Sequence, residues 1–283
     1  MVKITRVFRE ANLVLFFSLL ILICAMPAYT EGEKVLMMAT TTSTDDTGLL
    51  NYLAPRFKDA KGIDLRWTAT GTGKALKLGE NCDVDVLMVH MPAEEKKFVE
   101  AGFGVERREI MYNDFIIIGP ASDPCGIKGK PVTEAMQAIK AKQAIFVSRG
   151  DNSGTHETER LIWKAADIQV PEKESWYIQA GQGMLATIGI AAERDGYTLT
   201  DRGTYIKYEV NAAGNPPLKI MVEGDKALLN QYSVIAVNPT HCPKAKLELA
   251  NEFIKWITSP EAQKIIKDYR LSGKPLFTPN AKK

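Results

Sequence analysis

Three times in this chain a short apolar run passes straight into a cluster of hydroxyls or glycines and then into a segment with helical apolar spacing. That alternation limits the fold more than any other feature of the sequence. Lys34 to Ala39 leads into TTTSTDDTG (Thr40 to Gly48) and on into GLLNYLAPRFKDA (Gly48 to Ala60). Ile63 to Ala69 leads into Gly71-Thr72-Gly73 and a helix from Gly71 to Leu78, ahead of a buried strand from Val84 to Val89. Ala144 to Val147 leads into SRGDNSGTH (Ser148 to His156) and the amphipathic ETERLIWKAA from Glu157 to Ala166. This βαβαβ order predicts an α/β protein with mostly parallel sheets flanked by helices, and ligands that gather beyond the carboxyl ends of its strands.

A chain of 283 residues has room for two lobes, each with its own strand, donor turn and helix. Two buried strands read as the crossovers between them, DFIIIG from Asp114 to Gly119 and YSVIAV from Tyr232 to Val237. The expected lobes are 31–119 plus 236–283, and 120–235. Ala245 to Tyr269 reads as two helices parted by Ser259-Pro260, with Pro260 in the first turn of the second.

Residues 1–30 read as an export signal. Lys3, Arg6 and Arg9 give a basic start, Leu13 to Met26 is apolar, and Ala28 or Thr30 ends the segment. The apolar run falls short of the about 20 residues that a bilayer span needs, so cleavage into the periplasm is expected rather than anchoring. Ile23 stands where a small residue precedes a lipid-modified cysteine, so Cys24 is not expected to carry a lipid. Without this segment the 36 basic and 34 acidic side chains lose Lys3, Arg6, Arg9 and Glu10 and become equal in number. A neutral exported chain with no basic run is poorly suited to nucleic acid or to anionic membranes. Cys82, Cys125 and Cys242 allow at most one intramolecular disulfide, with three pairings open, and no C-x-x-C suggests a structural zinc site.

The donor clusters carry the chemistry. A helix start leaves backbone N–H groups unpaired at the positive end of the helix dipole, and a buried oxyanion needs a donor for each oxygen. Thr40, Thr41, Thr42 and Ser43 offer hydroxyls beside the amides of Ser43 and Thr44. If Thr40 continues the strand, Thr41 and Ser43 point the same way. Asp45 and Asp46 are expected to compensate the helix start with their carboxylates turned to solvent. In the second cluster Arg149 adds a permanent charge and a planar fork of donors, and Ser153-Gly154-Thr155 opens the next helix. Gly150 and Gly154 let the backbone come close. Gly71-Thr72-Gly73 repeats the context and adds Thr72, and the amides of Gly181-Gln182-Gly183-Met184, before the helical run Leu185 to Arg194, can close the site. Ordinary capping accounts for any one cluster; the recurrence together with an arginine argues for a site.

Other readings of these motifs are weaker. Gly150 to Gly154 resembles the serine neighbourhood of chymotrypsin-like proteases, but in that all-β fold the serine does not open a helix after a parallel strand. Arg149-Gly150-Asp151 spells an adhesion tripeptide, yet it sits at a strand's carboxyl end rather than on a loop tip. His90 and His156 lack an orienting carboxylate at useful spacing and are expected to be structural or supporting. A phosphoryl or sulfuryl hydrolase with Ser153 as nucleophile would need an activating base and usually a metal. No catalytic residue, resident metal or cofactor is expected.

TTTSTDDTGLL, GTGKAL (Gly71 to Leu76), CDVDVLMVHMP, MYNDFIIIGP (Met111 to Pro120), SRGDNSGTH and YTLTDRGTYI (Tyr197 to Ile206) resemble the tungstate-binding proteins of bacterial ABC importers, a branch of the type II periplasmic binding proteins. The resemblance implies the two-lobed type II fold with two crossover segments. It also implies a receptor that closes over tungstate, or molybdate, and delivers it to a permease driven by an ATPase; a closing two-lobed receptor needs no partner chain, so a monomer is expected. Carried over residue by residue, its ligand contacts are Thr40, Thr41, Thr42, Ser43 and Arg149, with Ser153 and Thr155 as helix-start donors; the strand-to-helix turns add Thr72 and Gly154 to the expected set. A phosphate or sulfate receptor is the alternative. Phosphate receptors of this fold add a carboxylate that accepts the phosphate proton, whereas the comparable strand end here carries His90-Met91-Pro92.

Overall fold

The computed structural model describes residues 34–282; the expected export signal lies outside the described residues. The first apolar run forms β1 (Lys34–Thr41), which continues two residues into the threonine cluster before the short helix α1 (Thr42–Asp46) begins. In α2 (Leu49–Lys61) the spacing of Leu49, Leu50, Leu53 and Phe57 buries one face, and Gly62 stops the helix in the left-handed region at φ 67°. β2 (Ile63–Thr70), α3 (Thr72–Glu80), β3 (Val86–Val89) and α4 (Pro92–Glu100) complete the first alternation.

β3 shows why a continuous apolar run makes a doubly covered strand. Val86 and Met88 enter the core under α2, α9 (Leu247–Ile257) and α10 (Pro260–Asp268), while Leu87 and Val89 enter the opposite core against α3 and α4. Ser259 caps α10 by accepting from the Ala262 amide, with Pro260 at its first position as the sequence implies.

The sheet is mixed where the alternation alone predicts mostly parallel strands. β1 and β3 are parallel, but β9 (Leu229–Val237) runs antiparallel to β3 and to β4 (Gly104–Pro120). The reason is β4, a single strand of 17 residues that serves two sheets. Its first part, to Asp114, pairs with β9, and its last part, from Phe115, pairs with β7 (Thr198–Asp201) and β8 (Leu218–Val222). Phe115 and Ile117 face one apolar core and Ile116 and Ile118 another, so the second sheet is also covered on both sides.

Around this second sheet lie α5 (Val132–Lys142), β5 (Phe146–Ser148), α6 (Gly154–Ala165), β6 (Tyr177–Gln179), α7 (Met184–Glu193) and α8 (Arg202–Asn211). β5 and β6 pair in parallel. Short pairings of β10 (Arg270–Leu271) with β11 (Lys274–Pro275), and of β12 (Thr278–Pro279) with β4, finish the chain. Cys82 and Cys242 form a disulfide, with Cα atoms 5.4 Å apart across 160 residues of sequence, and Cys125 is buried as a free thiol. Among the described residues no helix is long and apolar enough to cross a membrane.

Candidate functional site

The pleat of β1 divides the first donor cluster. Thr40 and Thr41 are strand residues, so their side chains leave on opposite faces. Thr40 is fully buried and its hydroxyl donates to the Met88 carbonyl (2.8 Å), which ties β1 to β3 and places this expected contact away from the cavity described below. Thr41 ends the strand and caps α1 by accepting from the Thr44 amide (3.2 Å). Thr41, Thr42 and Ser43 line a cavity of about 520 Å³. Asp46 is exposed near Lys207, but Asp45 accepts from the Trp67 indole N–H (2.7 Å), so only one of the two carboxylates turns to solvent as expected.

The second cluster lines the same cavity. Arg149 leaves β5 directly and is followed by Gly150 at φ 58°, where a Cβ would stand 2.8 Å from the Cβ of Gln179. Glycine is therefore required for the turn that sends Arg149 into the cavity. The Asp151 carboxylate holds the Arg149 guanidinium and accepts from the Ser153 amide (3.1 Å). Burial pushes this carboxyl up, but the Ser153 hydrogen bond and the Arg149 charge outweigh burial and hold it below its ordinary range. Asp151 thus stays ionised, and its oxygens act as acceptors. Ser153 caps α6 by accepting from the His156 amide (3.3 Å), and Gly154 and Thr155 form the first turn.

Thr72 comes from the start of α3 and reaches the cavity with Gly71, Gly73 and Lys74. A Cβ at Gly154 would lie 3.6 Å from His90 Cε1 and 3.7 Å from Thr72 Oγ1. The starts of α3 and α6 and the end of β3 therefore meet at this place. Two donors here, Thr72 Oγ1 and Arg149 Nε, are buried without a hydrogen-bond partner among the described residues. Burial of unpaired donors is costly, and an oxyanion with four acceptor oxygens fits that need.

Eight of the nine expected contacts line the cavity, Thr40 being the exception. The amides near Gly183 and Met184 instead border a separate hollow of about 190 Å³, which shares Ser43 with this site. Sequence reasoning left out Thr70, Lys74, Asn152 and, above all, His90 as lining residues. His90 closes β3, and a histidine at the carboxyl end of a parallel strand was the available signal. His156 is turned away from a base role toward Ser153: its Nδ1 accepts from the Asn152 amide (3.1 Å). Asp85, earlier on the β3 segment, accepts from the amides of Met37 and Lys246 and is structural.

With this geometry in hand, similarity to known proteins can be read. A model of the PBP superfamily domain matches residues 28–261. The chain is 54% identical over 240 residues to the tungstate-binding protein TupA of Campylobacter jejuni, covering 85% of this chain and 89% of that protein. The solved structure of the tungstate-binding protein TupA from Desulfovibrio alaskensis G20 superimposes with a TM-score of 0.84 at 65% identity, covering 88% of this chain and all of that one. The structure described as the tungstate ABC transporter from Geobacter sulfurreducens has 48% identity and a TM-score of 0.75, covering 84% and 99% of the two chains.

Proposed function

The chain belongs to the PBP superfamily and, within it, to the family of TupA tungstate-binding proteins; from that premise we propose that it captures tungstate in the cavity between β1, α3 and α6 and hands it to an ABC permease with its ATPase. The role is that of a solute-binding protein for an importer. The observation that carries the ligand reading is the convergence of the Thr41, Thr42, Ser43 and Thr72 hydroxyls, the Arg149 guanidinium and the start of α6 on one cavity with two unpaired buried donors.

The chemistry favours a fully deprotonated tetrahedral dianion. The carboxylate lining the cavity, Asp151, is ionised and engaged with Arg149 and the Ser153 amide, so it is poorly placed to accept a proton from a ligand such as hydrogen phosphate. Tungstate and molybdate need donors alone. Two lobes would close over the anion, with the hinge where β4 changes sheets at Asp114–Phe115 and where the chain returns between β8 and β9. Both limits come earlier in the chain than the sequence-based ones at 119 and 235. The protein would act as a monomer in the periplasm, without a resident cofactor and without catalysis.

Calorimetric titration of the anion-stripped protein with tungstate, molybdate, sulfate and phosphate tests the proposal. One-to-one binding of tungstate, with weak or no response to phosphate, supports it. Preference for phosphate or sulfate at equal concentration would assign the site to those anions, and absence of both heat and thermal stabilisation with all four would end the receptor reading.

A further inference from the structure

This inference rests on the oxyanion reading above and concerns the protons of the first hydroxyl cluster. His90 Nδ1 lies 2.8 Å from Asn230 Oδ1, and the Asn230 amide nitrogen donates to Asn113 Oδ1 (2.7 Å) and the Tyr232 hydroxyl (3.2 Å). The amide carbonyl therefore faces the ring, and Nδ1 carries the hydrogen. Tyr232 stacks on the imidazole with ring centroids 4.7 Å apart and fixes its plane. Nε2 is thereby aimed at Thr41 Oγ1 (3.1 Å) and Ser43 Oγ (3.2 Å), both of which line the cavity.

A neutral ring with hydrogen on Nδ1 presents a lone pair at Nε2, and that lone pair accepts a hydrogen bond from the Thr41 or Ser43 hydroxyl. Each hydroxyl has one proton to give, and Thr41 Oγ1 accepts from the Thr44 amide while also lying 2.6 Å from Thr44 Oγ1 and 3.1 Å from Ser43 Oγ. In this form one of the two hydroxyls is turned from the anion, and a lone pair stands beside a negative ligand. A proton on Nε2 reverses both effects. The ring then donates to the two oxygens, neither hydroxyl proton is drawn to Nε2, and a further positive charge joins Arg149 and Lys74 at the cavity.

We propose that capture of a tetrahedral dianion brings one proton with it, moved from a buffer acid to His90 Nε2, which makes His90 a further binding residue of this site. One N–H bond forms and the buffer acid becomes its conjugate base. The charged and titratable groups around the ring are compatible with this. Asp201, the cap of α8, favours the imidazolium; Tyr232 from β9 packs on the ring; and Lys74 and the Arg149–Asp151 pair line the cavity. Burial is the largest influence on the ring and holds it below the ordinary histidine range, leaving a proton to be gained near neutral pH.

Calorimetric titration with sodium tungstate at about pH 7.5, in buffers of different ionisation enthalpy, counts the protons directly. The expected result is uptake approaching one proton per anion, with affinity falling by up to about tenfold per pH unit above neutrality. His90→Gln, whose amide can donate but does not titrate, is expected to bind without uptake and with a flat pH profile, while Glu159→Gln keeps the uptake. Tungstate binding by the wild-type protein without proton uptake overturns the proposal and leaves the receptor reading intact, and this holds even if the His90 variant fails to fold. Undiminished uptake in His90→Gln, or its loss in Glu159→Gln, also overturns it. Absence of binding by every oxyanion overturns the receptor reading and this inference together.

Discussion

Arg202 grips both carboxylate oxygens of Asp114, through Nε and Nη2 at 2.5 Å each, at the residue where β4 passes from one sheet to the other. The same guanidinium reaches Glu223 just after β8 (2.7 Å), so one side chain ties the ends of three segments. Lysine keeps the charge but loses the planar fork. Arg202→Lys is expected to cost about 1–3 kcal/mol of stability, read as a lower denaturant midpoint with an unchanged slope.

Arg149 supplies the permanent charge of the cavity, and its loss leaves Asp151 without its partner. Arg149→Ala should weaken tungstate binding by about 2–5 kcal/mol, measured by titration calorimetry. An affinity equal to that of the parent would remove Arg149 from the site.

Thr40 and Ser43 provide a matched contrast within one tetrapeptide. Ser43→Ala removes a cavity hydroxyl and should lower anion affinity. Thr40→Val removes the bond to the Met88 carbonyl and should lower stability by about 1 kcal/mol with affinity unchanged. Equal losses of affinity in the two variants would contradict the placement of Thr40.

Glu159 sits buried in α6, accepting from the Trp163 indole (3.1 Å) and the Tyr177 hydroxyl (2.7 Å). Burial raises its carboxyl from 4.5 to about 7 despite these bonds. The folded state therefore holds a proton that the unfolded chain has released, and stability falls as pH rises from about 4.5 to about 7, then levels. The loss is about 3 kcal/mol, and Glu159→Gln should abolish this part of the pH dependence in chemical unfolding curves.

The Cys82–Cys242 disulfide closes a long loop between the end of α3 and the segment before α9. Its reduction, or Cys82→Ser, should cost about 2–5 kcal/mol by lowering the constraint on the unfolded chain. Both cysteines lie outside the residues that line the cavity, so tungstate affinity is expected to stay the same. Thermal unfolding with and without reductant, paired with calorimetry, separates the two effects.

Much of this was legible in the chain because strand, turn and helix each leave a local trace. Val86 to Val89 and Phe115 to Ile118 are apolar at every position because each strand is covered on both faces. The extent of β4 was hidden, since its first part carries Glu106, Arg107, Arg108 and Glu109 in succession although it pairs with β9 through two register shifts. Thr40 was misjudged because its role depends on where the strand ends, and that point follows from pairing with β3 rather than from local composition. His90 was undervalued for a related reason: its partners Asn230 and Tyr232 lie about 140 residues away and are brought to it by the β3–β9 pairing. The choice among three cysteine pairings likewise needed the tertiary fold.

The uninterrupted course of β4 through both sheets gives the molecule a torsion bar. A flexible linker would let one half slide or swivel freely against the other, but a hydrogen-bonded strand resists shear and yields by twisting about its own length. Close to the change of sheet, between Ile117 and Ile118, the pairing with β8 shifts register while the pairing with β7 runs on, so the ladder is loosened on one side only. A receptor that closed about this strand would be confined to rotation about a single axis, and each closure would return the same donors to the same positions.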